Sequence, residues 1–132
     1  MPGNDDIAKI EASPLTDFVE EMEAIVGAGH WERAPDFFTA DVVYQVGHRD
    51  PVFGVEGIKG YMEWQNRIVR WEGHDLRMKF SRGQTAIFEV VSHFTRLSDG
   101  AKLYVPCTDI YNFVDGRIAD WRVYSDLSAF AS

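Results

Sequence analysis

The sequence predicts an α+β domain, with helices in the N-terminal half covering one face of a mostly antiparallel sheet. Three observations lead there. Apolar residues recur at helical spacing over 15–26 and again over 55–69. After Trp71 the spacing changes to the two-residue alternation of strands. The strand-like segments are divided by Asp99-Gly100 and Asp115-Gly116, dipeptides suited to tight hairpins, with Arg82-Gly83 as a weaker third.

Each element has its own signal. Residues 1–12, with Asp5, Asp6, Lys9 and Glu11 and little periodicity, read as a flexible arm, which leaves 13–132 as one domain. Ser13-Pro14 opens a helix: serine caps, proline suits the first turn, and Asp17 lies near the positive end of the helix dipole. Leu15, Phe18, Met22, Ile25 and Val26 form its apolar stripe, and Gly27 and Gly29 stop it. A shorter helix is expected over Trp31 to Thr39, then a strand from Asp41 to His48. A third helix begins near Val55, with Ile58, Tyr61, Met62, Gln65, Ile68 and Val69 as its stripe and Trp64 and Trp71 beside it. Strands follow at about 74–81, 85–97, 101–114 and 117–125, an antiparallel meander.

The 132 residues suit a single domain able to bury a core without staples. With 13 basic and 21 acidic residues the formal charge is −8, which disfavours nucleic acid and anionic membrane, since both present phosphates. The single cysteine, Cys107, excludes an internal disulfide and fits a cytoplasmic location. The polar, acidic start is unlike a signal peptide, and no run approaches the length of a membrane span. Phosphate loops, HExxH, paired CxxC and GxSxG are missing, and His30, His48, His74 and His93 fall on different elements, so neither a cofactor nor a metal is expected.

Two segments carry a family likeness. PVFGVEGIKGYMEW at 51–64 resembles the strand-to-helix junction of SnoaL-like polyketide cyclases and limonene epoxide hydrolases. LYVPCTDIYNFVDGRIADWRVYSDLSAF at 103–130 resembles their last two strands. The likeness covers most of the chain from Thr16 onward and implies the cone-shaped fold of the nuclear transport factor 2-like superfamily, with about three helices on a curved sheet. It is specific for fold and weak for activity, because such folds host isomerases, dehydratases, cyclases, hydrolases and binding modules. The resemblance aligns the Arg-x-Asp and the last-strand Asp of the limonene epoxide hydrolases with Val91, His93 and Val123, so their carboxylates are missing here, which weakens that chemistry. The acid/base aspartate of the cyclases matches Asp109 in CTDIYNF.

Asp109 stands in an otherwise apolar strand, where a carboxylate is depleted and costly to bury. Facing the cone interior it would be a proton-transfer group; facing outward, an ion-pair partner. His93 is expected on the pocket face of the preceding strand with Glu89 and Val91, as partner or second base to Asp109. One residue of slip would reverse that face. Phe88, Val90 and Phe94 would then lie on the convex face and form a homodimer interface. Tyr44 is a candidate hydrogen-bond donor, and Tyr61, Trp64, Trp121, Cys107 and Val123 are candidate pocket walls. His48-Arg49-Asp50 reads as a loop at the cone mouth. For Cys107, Glu89 and the aromatics, packing or solvated charge is the alternative role.

These residues predict a cofactor-free acid/base enzyme of cyclase, isomerase or dehydratase type acting on a hydrophobic cyclic small molecule, with Asp109, His93 and Tyr44 as its machinery. Neutral ligands are expected in preference to anions. A non-catalytic ligand-binding or dimerisation module of the same fold is the alternative, and an epoxide hydrolase with an altered carboxylate set is the third reading.

Overall fold

A computed structural model describes residues 9–131. Helix α1 (Pro14–Val26) and a 3-10 helix (Trp31–Asp36) lead into strand β1 (Phe38–Val46), a short β2 (Val52–Phe53) and helix α2 (Gly54–Gln65). Four long strands follow: β3 (Val69–Arg82), β4 (Thr85–Arg96), β5 (Lys102–Val114) and β6 (Arg117–Ser125), then a 3-10 turn (Ser128–Ala131). They form one sheet in the order β2-β1-β6-β5-β4-β3, antiparallel except where β1 runs parallel to β6. Bulges in β3 near Trp71 and Leu76, and in β5 at Asn112, bend the ladder. The sheet therefore curves, and the helices cover its concave face.

The start of α1 is a capping box: the Thr16 amide donates to Ser13 Oγ at 3.1 Å, and the Ser13 amide donates to Thr16 Oγ1 at 2.8 Å. Thr16, Val19, Met22 and Val26 are buried, and Phe18 packs edge-on against Phe37 and Phe113. At the other end of the chain, Asp115 and Gly116 both take positive φ (52° and 80°), the requirement of a type I′ hairpin.

Three expected boundaries move. The helix expected to reach Thr39 stops at Asp36, because the Phe37 carbonyl accepts the Ile118 amide at 2.8 Å and the chain enters β1 at Phe38 rather than Asp41. That pairing replaces helical bonds which Pro35, lacking an N–H, already weakens. The helix expected to run to Val69 ends at Gln65; Val69 instead opens β3 opposite Arg96, so β3 is five residues longer at its start than the 74–81 reading. The two-residue β2 carries no alternation to be read. Residues 1–8 of the expected arm lie outside the described residues. Ile10 bridges to Lys79 of β3, with the Glu11 amide donating to the Lys79 carbonyl and the Lys79 amide to the Lys9 carbonyl, both at 2.9 Å. No helix among the described residues is long and apolar enough to cross a membrane.

Candidate active site

A cavity of about 510 Å³ opens between α1, α2 and the concave sheet face. Its wall is built by strand alternation. Phe88, Val90, Ser92 and Phe94 of β4 point inward, and their partners across the β4–β5 ladder are Asp109, Cys107, Val105 and Leu103. Asp109 in turn pairs with Val123 of β6, and Tyr44 of β1 with Trp121. Asp109 thus sits inside an apolar wall, flanked by rings: Tyr111 stacks on Trp121 at 5.1 Å, and Trp121 lies 4.5 Å from Tyr44.

Two donors meet one oxygen of Asp109. Trp121 Nε1 and the Tyr111 hydroxyl each donate to Oδ2 at 3.2 Å. Oδ1 makes no hydrogen bond among the described residues, which leaves it to the cavity. Burial, opposed by these two bonds, pushes the Asp109 pKa up from 3.8 to about 6. Glu23 of α1 lines the same cavity; burial first, then the charges of Asp109 and Glu20, push it up from 4.5 to about 7. His74 of β3 completes the group, its Nε2 3.9 Å from Glu23 Oε2, and burial holds its pKa below the usual histidine value. Tyr44 is buried, lines the cavity, and its hydroxyl makes no hydrogen bond among the described residues; burial raises its pKa well above the usual tyrosine value, so the hydroxyl remains a donor. Burial likewise raises the Cys107 thiol, whose Sγ donates to the Val105 carbonyl at 3.4 Å. It is a wall residue, not an activated nucleophile.

The sequence reading is corrected on one face. Glu89, Val91 and His93 point to the convex side, away from the cavity, because His93 pairs with Tyr104 and the row shared with Asp109 is that of Phe88 and Val90. His93 Nε2 lies 2.9 Å from Asp75 Oδ2 on that outer surface, and Glu89 lies 4.0 Å from Arg77. Phe88, Val90 and Phe94, expected outside, are buried cavity walls. Tyr61 and Trp64 do not line the cavity: Tyr61 packs edge-on behind Tyr44 at 5.3 Å, and Trp64 lies under the Arg49 guanidinium at 4.3 Å. Asp109, Tyr44, Trp121, Cys107 and Val123 do come together there.

Glu23, His74, Tyr111, Ser92 and Ser125 are members that sequence reasoning missed. Glu23 belongs to the charged run Glu20-Glu21, Met22, Glu23, which reads as a solvated helix face. The signal available was its place between the buried Met22 and Val26. Among the described residues no group of three or more His, Cys, Asp or Glu could hold a metal ion.

With this geometry in view, the comparisons are informative. A family model described as a SnoaL-like domain matches residues 19–121. No curated protein matches the chain. Among solved structures, a polyketide cyclase candidate from Xanthomonas campestris pv. campestris superposes with a TM-score of 0.78 at 17% identity, covering 89% of this chain and 93% of that one. A protein of ketosteroid isomerase-like fold from Catenulispora acidiphila DSM 44928, in complex with trimethylamine, gives 0.74 at 16%, covering 86% and 88%. An epoxide hydrolase of the limonene epoxide hydrolase-like kind from M. tuberculosis gives 0.69 at 16%, covering 86% and 84%. At these identities the likeness establishes a common fold.

Proposed function

Since this chain belongs to the SnoaL-like domain family, we propose that it is an acid/base enzyme of cyclase, isomerase or dehydratase type, working without a cofactor on a hydrophobic small molecule. The observation that carries this is Asp109: a carboxylate facing a largely apolar cavity, held through one oxygen by Trp121 and Tyr111, with its pKa moved to about 6. Near neutral pH it is mostly ionised yet basic enough to remove a proton from carbon activated by a neighbouring carbonyl. Oδ1 takes the proton, the Tyr44 hydroxyl donates to the oxyanion that forms, and the same carboxyl returns the proton at the product position. Cyclase, isomerase and epoxide hydrolase names among the fold's neighbours support the class, not the reaction. A ligand-binding module of the same fold is the competing reading, and epoxide hydrolysis through Glu23 and Asp109 is the third.

The test needs no natural substrate. 5-Nitrobenzisoxazole is an apolar probe from which a base removes the ring C–H proton while the N–O bond breaks, releasing a coloured phenolate. Turnover should rise with pH through a midpoint near 6 and disappear in Asp109→Asn. No turnover above free carboxylate, or turnover indifferent to that change, would favour the binding module.

We also propose a homodimer through the convex sheet face. Its support is no longer Phe88, Val90 and Phe94 but the outward row of Val91, Pro106 and Ile110 beside the exposed Tyr104 and Tyr124. Light scattering should give about twice the 15.0 kDa of one chain.

A further inference from the structure

We infer that the ligand of this cavity carries a cationic nitrogen, received by Glu23 and Asp109 against the aromatic wall. The inference rests on the cavity being the functional site, as proposed above, and adds the chemical class of what enters it.

The first ground is how the other partly buried acids are served. Glu20 holds Lys79 at 2.7 Å, Asp120 holds Arg122 at 3.1 Å, and Glu89 lies 4.0 Å from Arg77. Even the more exposed Asp99 is held by Arg96 at 2.7 Å. Glu23 and Asp109, the two partly buried acids on the cavity lining (Glu63, also on it, is exposed), have no lysine or arginine partner among the described residues. The nearest base to Glu23 is His74 at 3.9 Å, which burial keeps neutral near pH 7. A single unpaired carboxylate is what a general base requires; a second one across the same cavity is not explained by that role.

The second ground is the wall itself. Tyr44, Trp121, Phe88, Phe94, Trp31 and Trp71 line the cavity, and the face of such a ring attracts a desolvated cation. Among the described residues the only other basic side chain lining it, Arg70, is largely exposed and tied to Glu72. The Tyr44 hydroxyl in the wall, on a residue 4% exposed, also lacks a hydrogen-bond partner among the described residues. The site has acceptors and rings ready for a positive ligand, and the arginine on its lining is already held by Glu72. The chain's formal charge of −8 steers in the same direction.

The pH dependence follows from the groups that face the pair. Around Glu23 these are Glu20 on its own helix, held by Lys79 of β3, then His74 of β3 and Asp109 and Tyr111 of β5. Around Asp109 they are Trp121, Tyr111, Tyr44 and Cys107. Glu63 and Arg70 stand on the lining farther along α2 and β3. Cation binding should strengthen as pH rises through about 6 and 7, where Asp109 and Glu23 ionise. At low pH a protonated His74 beside Glu23 opposes it further.

The experiment compares phenyltrimethylammonium with its neutral isostere tert-butylbenzene on the intact chain, by NMR titration at pH 5 and pH 8. The quaternary ion keeps its charge at both, so any change with pH belongs to the protein. At pH 8 the cation should bind about tenfold or more tightly than the isostere. At pH 5 most of that preference should vanish. Glu23→Gln and Asp109→Asn should each reduce it, with thermal melts confirming that both variants fold. Equal or better binding of tert-butylbenzene at pH 8 overturns the inference, as does a preference that survives in the double variant, which would place the cation on the acidic exterior. The 5-nitrobenzisoxazole reaction is read separately. Turnover without cation preference sinks this inference alone, and cation preference without turnover sinks the acid/base reading alone.

Discussion

Strands β4 and β5 present two faces built from alternate residues of the same segments, and their chemistry is opposite. On the concave side Phe88 pairs with Asp109 and Val90 with Cys107. On the convex side His93 pairs with Tyr104 and reaches Asp75 of β3 at 2.9 Å. The outer His93–Asp75 pair has the look of a catalytic dyad, a base with an orienting carboxylate. Yet the Asp75 side chain is 73% exposed, and water levels out what the pair could do. Asp109 has no such partner, only a phenol, an indole and an apolar wall, and burial there raises its proton affinity. Desolvation, not the presence of a partner, is what sets a group apart here.

The comparison breaks first, and by the largest amount, at Asp109. Asp109→Asn keeps shape and some hydrogen bonding but cannot accept a proton, so turnover of the benzisoxazole probe should fall by about 10²–10⁴-fold. Melting temperature above pH 7 should hold or rise, because the change removes a desolvated charge. A variant that melts much lower at that pH would make Asp109 a structural partner instead.

Next in size is the pH dependence of stability. Asp109 goes from 3.8 to about 6 and Glu23 from 4.5 to about 7 on folding, so the folded state holds both protons more tightly. Their stabilising contribution is complete below about pH 4 and is lost as pH rises through 6 and 7. Glu23 keeps 28% side-chain exposure, so on the order of 2 kcal/mol per group is expected between pH 5 and pH 8. Urea unfolding should show the chain less stable at pH 8, and the Asp109→Asn, Glu23→Gln double variant should flatten the curve. Greater stability at pH 8 in the wild type would contradict the placement of both carboxyls.

How much of this was legible depends on which physical signal each feature leaves. The meander was legible because Asp-Gly turns fix hairpins locally, and Asp109 was legible because a carboxylate in CTDIYNF has no packing use. The inward face of β4 was readable in principle, since Ala86, Phe88, Val90 and Phe94 outweigh Ile87, Glu89, Val91 and His93 in apolar bulk. Anchoring that strand on His93 reversed it. The register decided the matter: His93 lies opposite Tyr104 and Phe88 opposite Asp109, and a slip of one step would exchange the faces. Glu23 was hidden for another reason. Nothing local separates a solvated glutamate on a helix from one that a distant strand will cover.

A smaller contrast comes from neighbouring valines. Val90, 4% exposed on the concave wall, should lose about 1–3 kcal/mol on change to alanine. Val91, half-buried on the convex side, should lose less than about 1 kcal/mol where that face meets water, and approach the Val90 loss where the proposed dimer covers it. Urea midpoints of the two variants check this, and equal losses would mean that the convex face is covered, as a dimer would cover it.

The smallest effect sharpens the comparison most, because it concerns the residue whose sequence context looked most catalytic. His93 is one-third exposed, its ring meets Tyr104 edge-on at 5.0 Å, and its contact with Asp75 is an ion pair only while the imidazole is protonated. Exposed pairs of this kind contribute about 0–1 kcal/mol and are screened by salt. His93→Ala should therefore cost less than about 1 kcal/mol in urea unfolding, with most of the cost from the ring contact. Benzisoxazole turnover should stay at the wild-type rate, since the sheet itself stands between this imidazole and Asp109. A loss of turnover approaching that of Asp109→Asn would mean that the convex face communicates with the cavity. The division between a wet dyad outside and a dry carboxylate inside would then fail.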